Sequence, residues 1–144
     1  MFDKTLSPFA KPLLSKMAIY AVKIGVSADA VSIIGFITGV VAALLVGYGH
    51  FLLALLFFSL NRILDGLDGA IARIKIPTHR GAFLDIVFDF IIYSSIPFAF
   101  AVFNDKNSFV ACFIIFSFVG TGTSFLAYGI LQEKISKKKQ ETNR

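Results

Sequence analysis

Residues 64–89 read LDGLDGAIARIKIPTHRGAFLDIVFD, and they hold four of the chain's nine acidic residues: Asp65, Asp68, Asp85 and Asp89. Apolar sequence flanks them on both sides. On a helix, positions 65, 68, 69, 72 and 73 follow the i, i+3, i+4, i+7, i+8 rhythm of one stripe, reading Asp, Asp, Gly, Ala, Arg. After the connection 74–80, Gly81, Asp85 and Asp89 recur at i, i+4, i+8, again on one face. A connection of that length predicts two antiparallel neighbours whose stripes face each other. Four carboxylates then converge beside residues small enough to admit a ligand.

Around this stretch the chain is greasy. Of 144 residues, 56% are apolar, 17 are Phe and only 16% are charged, with a mean hydropathy of +0.77. A soluble domain needs more polar surface than that, so the composition predicts a lipid-facing fold. Each span takes roughly 20 residues, which leaves room for one domain and a handful of helices. The expected architecture is an all-α integral membrane bundle, one domain over residues 1–144. An interfacial amphipathic helix covers 7–25, with Leu13, Met17, Ala21 and Ile24 on one face. Gly25 ends it, and Ser27 and Asp29 offer capping oxygens to the next helix. Four spans are expected at about 31–48, 51–74, 81–103 and 108–131. A Gly-His turn separates the first two, Pro77 interrupts helix in the second connection, and NDKN precedes the last span. Residues 133–144 read as a frayed basic tail. Lys11, Lys16 and Lys23 interrupt the first apolar stretch, so a removable signal peptide is not expected.

The net charge of +5 does not point to nucleic acid, because the basic residues flank apolar segments. Four lie before residue 25, three in 73–80 and five after 133, against Lys106 alone on the other side. This asymmetry predicts a multi-pass protein with both termini and the charged motif facing the cytoplasm, its basic residues toward anionic lipid. The single Cys112 excludes an intrachain disulfide and a cysteine metal cluster.

Charge in a bilayer costs from ~3 to well over 10 kcal/mol, so four converging carboxylates need cations. Arg73 and Arg62 offset part of the charge, Arg62 being read here as a local partner of Asp65 one turn on. An all-oxygen donor set selects hard divalent ions, Mg²⁺, Mn²⁺ or Ca²⁺. Two ions ~3.5–4 Å apart would form the clamp of phosphate-transfer sites, with Arg73 placed to receive a phosphate. Capping and salt bridging at a wet membrane edge would account for any single Asp, but require neither this spacing nor the small residues.

Written out, Asp65-x-x-Asp68-Gly69-x-x-Ala72-Arg73, seven residues, then Gly81-x-x-x-Asp85-x-x-x-Asp89, the stretch resembles the motif of the CDP-alcohol phosphatidyltransferase family at every defined position. The preceding VSADAVS (26–32) is similar to that family's usual TPNxLT, with Asp29 where Asn is common. The resemblance implies transfer of a phosphatidyl group from CDP-diacylglycerol to a small alcohol, releasing CMP, in phospholipid synthesis. It implies Mg²⁺ or Mn²⁺, in a two-metal site, on Asp65, Asp68 and Asp85, with Asp89 as general base and further ligand. Gly69, Ala72, Arg73 and Gly81 would line the cytidine diphosphate site. Homodimers are common in the family. Members usually have six membrane helices where four are expected here, so a truncated, non-catalytic relative that binds CDP-lipid or a partner protein is the alternative. Small residues in GTGTS (120–124) are expected to serve helix packing ahead of an acceptor pocket. Lys75, His79 and Arg80 suit an acceptor phosphate or lipid headgroups equally.

Overall fold

A computed structural model describes residues 3–142, with side chains from 12 to 135. Five helices follow in order: α1 (Asp3–Lys23), α2 (Ala28–Gly47), α3 (Phe51–Ile74), α4 (His79–Phe103) and α5 (Ser108–Thr142), with a 3₁₀ turn at Asp105–Asn107 before α5. Among the described residues there is no strand.

Local chemistry sets the boundaries. Gly25 and Gly49 take φ of +83° and +81°, a conformation that costs a side-chained residue but not glycine. Each follows a helix and turns the chain back. Ser27 caps α2 by accepting from Ala30 N at 3.2 Å, and Thr78 caps α4 by accepting from Gly81 N at 3.0 Å. Each satisfies a backbone donor that the first turn would leave free.

The helix α2 is the spine. It packs along both α3 and α4, while α1 packs on α3 and α5 on α4. Its small residues allow the approach: a Cβ on Gly35 would stand 3.3 Å from Leu64 Cβ, and one on Gly39 would stand 2.7 Å from Ile92 Cδ1. The helices α3 and α4 run antiparallel as expected but are not closely packed neighbours: each packs on α2, and the two meet through long side chains. Phe51 stacks on Phe100 at one end, with centroids 5.7 Å apart, and Arg62 reaches Asp89 further along. This separation leaves space between the acidic stripes.

Three features depart from the sequence reading or add to it. Three helical stretches, not four, are long and apolar enough to cross a membrane: Ala28–Gly47, His79–Phe103 and Asp105–Ile135. The 24-residue α3 has the length, but Arg62, Asp65 and Asp68 near its middle fall inside any span-length portion of it. Second, α1 meets the bundle through small residues that the sequence reading did not assign to packing. Ala18 and Ala21 pack with Leu14 and Val22 against Leu67, Ala70 and Ile71; of the expected apolar face Ala21 is buried there, while Leu13, Met17 and Ile24 are exposed, as residues turned to lipid would be. Third, helix continues through Thr142 where a frayed tail was expected; Asn143 and Arg144 lie outside the described residues.

Packing at Gly39 gives a direct test. Ile92 is 1% exposed, and a Cβ at 39 would also approach Asn61 Nδ2 to 3.0 Å. Gly39→Val is therefore expected to destabilise the bundle by about 1–3 kcal/mol, the usual cost of overpacking. Gly120→Ala, with nothing within 4 Å of its Cβ, is expected to be neutral or mildly stabilising. Thermal unfolding of both variants in one detergent would read the difference.

Candidate active site

The acidic stripes converge between α3 and α4 as their spacing requires. Asp65, Asp68 and Asp85 each present a carboxylate oxygen, and the three oxygens lie within 4.8 Å of one another. Asp68 is buried, Asp65 half-buried and Asp85 exposed, so the cluster opens toward the α4 side. The donor set is all oxygen, anionic and hard. It fits a divalent ion such as Mg²⁺ or Mn²⁺ and offers nothing to a softer metal. The trio is also short of positive charge, which a divalent ion would supply.

Asp68 is held from behind by α2. The Ser32 hydroxyl donates to Asp68 Oδ2 and has Ala28 O, at 3.1 Å, as a second acceptor. One turn further along, Asn61 Nδ2 donates to Gly35 O at 2.9 Å, locking α3 onto α2 just before the motif. No buried side-chain nitrogen or oxygen among the described residues lacks a partner.

Asp89 stands outside the trio. Arg62 Nη2 donates to its Oδ1 at 2.8 Å, and Tyr93 Oη lies 3.4 Å from its Oδ2. Arg62 keeps the Asp65 contact read from the sequence, at 3.6 Å, but its shorter ion pair is with Asp89, 27 residues away.

Beside the trio opens a cleft of about 320 Å³, within the range of small-molecule sites. The N-terminus of α2, the second half of α3 and the start of α4 wall it. Asp68, Gly69, Ala72, Gly81 and Asp85 line it together with Ser27, Asp29, Ser32, Lys75 and Thr78. Space at Gly81 is tight: a Cβ there would stand 3.1 Å from Thr78 Oγ1 and 3.4 Å from Asp29 Oδ1 and would press on both side chains.

The basic residues divide. Lys75 lines the cleft and donates from Nζ to Val26 O at 3.0 Å. Arg80 pairs with Asp29 at 3.5 Å and, like His79, is not part of the lining. Arg73 is exposed and outside the lining, its Nη1 3.6 Å from where a Gly69 Cβ would be. In α5, Gly122 abuts Phe90, whose ring a Cβ would meet at 2.6 Å, while the neighbouring Thr121, Thr123 and Ser124 bond their own helix backbone. Gly122 thus serves packing, whereas Gly120 has nothing within 4 Å of its Cβ position, and no residue of the segment lines the cleft.

Sequence reading missed Ser32, Asn61 and Tyr93. Ser32 closes the VSADAVS segment, and its polar side chain within an apolar span was the available signal. Asn61 directly precedes Arg62 and gave a similar signal. Tyr93 continues the 81, 85, 89 series by one more turn, so the periodicity itself pointed to it.

An apolar helical bundle with a carboxylate-bearing cleft walled by three of its helices defines a membrane-type protein whose acidic site could hold a divalent ion. Residues 26–141 match CDP-alcohol phosphatidyltransferase, and the chain belongs to that family. It is 42% identical over 135 residues to the inner membrane protein YnjF of Escherichia coli (strain K12), an alignment covering 93% of this chain and 66% of the relative. The chain thus spans just under two thirds of the length of the curated relative it matches. No solved structure matches it.

Proposed function

We propose that the chain transfers a phosphatidyl group from CDP-diacylglycerol to a small alcohol, releasing CMP, at the cleft between α3 and α4. The observation that carries this reading is the junction of the Asp65–Asp68–Asp85 trio with the small-residue wall of Gly69, Ala72 and Gly81. A divalent ion held by the trio would neutralise the pyrophosphate and the charge developing on departing CMP. Gly69, Ala72 and Gly81 give the cytidine diphosphate its close approach, and exposed Arg73 swings from beside Gly69 onto a phosphate. Asp89 serves as general base, through Oδ2, the oxygen that Arg62 leaves free. The acceptor hydroxyl oxygen forms the new bond to the phosphorus bearing the lipid as the bond to the CMP oxygen breaks, and its proton passes to Asp89. Acyl chains would lie along the apolar flanks, with the site and both termini on the cytoplasmic side.

Glycerol 3-phosphate is the first acceptor to test, because Lys75 in the cleft suits a phosphorylated alcohol; serine and inositol phosphates follow. The assay is CMP release from CDP-diacylglycerol by the purified protein in detergent, with Mg²⁺ or Mn²⁺ and a panel of alcohols. Alcohol-dependent release that chelator abolishes is expected. Metal-dependent binding of CDP-diacylglycerol without release, whichever alcohol is supplied, would replace this reading with that of a non-catalytic relative.

A further inference from the structure

Arg62 is the basic side chain that ion-pairs with the motif carboxylates among the described residues, and it is tightly fixed. Nε donates to Asn61 Oδ1 at 2.9 Å, Nη1 to Tyr93 Oη at 2.6 Å and Nη2 to Asp89 Oδ1 at 2.8 Å. The guanidinium also lies over the Tyr93 ring, 4.9 Å from its centroid, and 5.7 Å from that of Phe58. Asn61, which holds the Nε end, is itself 3% exposed and tied to Gly35 O. A guanidinium with three directed bonds and two ring faces is a fixed part of the site, not a rim charge free to leave.

Its place between Asp89 Oδ1, at 2.8 Å, and Asp65 Oδ2, at 3.6 Å, is the one that an ion bridging those two oxygens would take. A small divalent ion on Asp89 Oδ1 would stand ~2.1 Å from that oxygen, in contact with the Arg62 nitrogen already there. Resting on the reading of the trio as a divalent-ion site, we propose that the Arg62 guanidinium is a built-in cation of this site. It takes the place of a second divalent ion, so that the chain binds one ion, on Asp65, Asp68 and Asp85, and Asp89 stays off the metal as a free base. Arg62 is thus a positioning residue for Asp89, and the two-ion clamp expected from the sequence becomes one ion plus one guanidinium.

The experiment counts Mn²⁺ bound per chain, by equilibrium dialysis and by the loss of the free Mn²⁺ paramagnetic resonance signal, on the full chain in detergent without nucleotide. Wild type is expected to bind one ion, and Arg62→Met two. Asp89→Asn in the Arg62→Met background returns the count to one, and Arg62→Lys, which keeps the charge, stays at one. CMP release should fall about tenfold or more in Arg62→Met although its ion count rises, since Asp89 is then drawn onto the metal. A merely structural role would lower both readouts. Two ions on wild type, or one on Arg62→Met with an unchanged unfolding temperature, would overturn the inference and leave the divalent site standing. No ion on wild type would remove the divalent site and the inference together. Should Arg62→Met not fold, Arg62→Gln, which can still bond Asn61 and Tyr93, carries the same expectation of two ions.

Discussion

Asp68→Ala is expected to abolish divalent-ion binding and CMP release together, lowering release by about 10³-fold or more, or ~4 kcal/mol of barrier. Asp68 is the best fixed of the three clustered carboxylates, 5% exposed and held by Ser32 from α2. Its loss leaves Asp65 and Asp85 without the buried member that sets their common focus. The fold should survive the change, because the Ser32 hydroxyl retains Ala28 O as an acceptor and the substitution removes a buried charge rather than creating one. Isothermal titration with Mn²⁺ and the CMP assay, run on one preparation, check both arms. Ion binding as tight as wild type would take Asp68 out of the metal site. Full release without ion binding would end the metal-dependent reading.

Asp89→Asn is expected to separate these two readouts. Asparagine cannot accept the proton of the acceptor hydroxyl, so release should fall about 10²- to 10⁴-fold, while the trio still binds its ion. The amide is nearly isosteric and its oxygen can still accept from Arg62, which also keeps Tyr93 Oη at 2.6 Å and Asn61 Oδ1 at 2.9 Å. Gross unfolding is therefore not expected. Tyr93→Phe should cost less, because Tyr93 Oη meets Asp89 Oδ2 only at 3.4 Å, and its main loss is the 2.6 Å bond that it accepts from Arg62, which keeps its bonds to Asp89 and Asn61. An unchanged rate in Asp89→Asn would remove the general-base role. A lost ion would place Asp89 among the ligands.

The pattern of legible and illegible features follows from what periodicity can carry. The bounds of α3 were readable at both ends, because the Gly-His turn precedes Phe51 and Lys75 and Pro77 follow Ile74. The trio was readable too, since i, i+3 on one helix and i, i+4 on the next fix faces without any knowledge of packing. The partner of Arg62 was not. Reading along α3 offers only Asp65, and the register of α3 against α4 is written in neither helix alone. It depends on how closely α2 seats each of them, through Gly35 and Gly39. The side by which α1 meets the bundle was not legible for a related reason. Apolar residues occur on more than one of its sides, and the side that packs is chosen by small size, Ala18 and Ala21, not by hydrophobicity. At the far end, polar composition suggested a tail after residue 132, but Gln, Glu and Lys are good helix formers, and α5 runs on through them to Thr142.

The dispersed support of α3 bears on how the chain is assembled. Its apolar first half can enter lipid alone, but its charged second half finds Ser32 on α2, made earlier, and Asp89 and Tyr93 on α4, made later. Before α4 is made, Arg62 has only Asp65 and Asn61 of its own helix as partners. The α3–α4 pair is therefore expected to enter the membrane together rather than helix by helix, because the residues that would carry chemistry are also those that join the two.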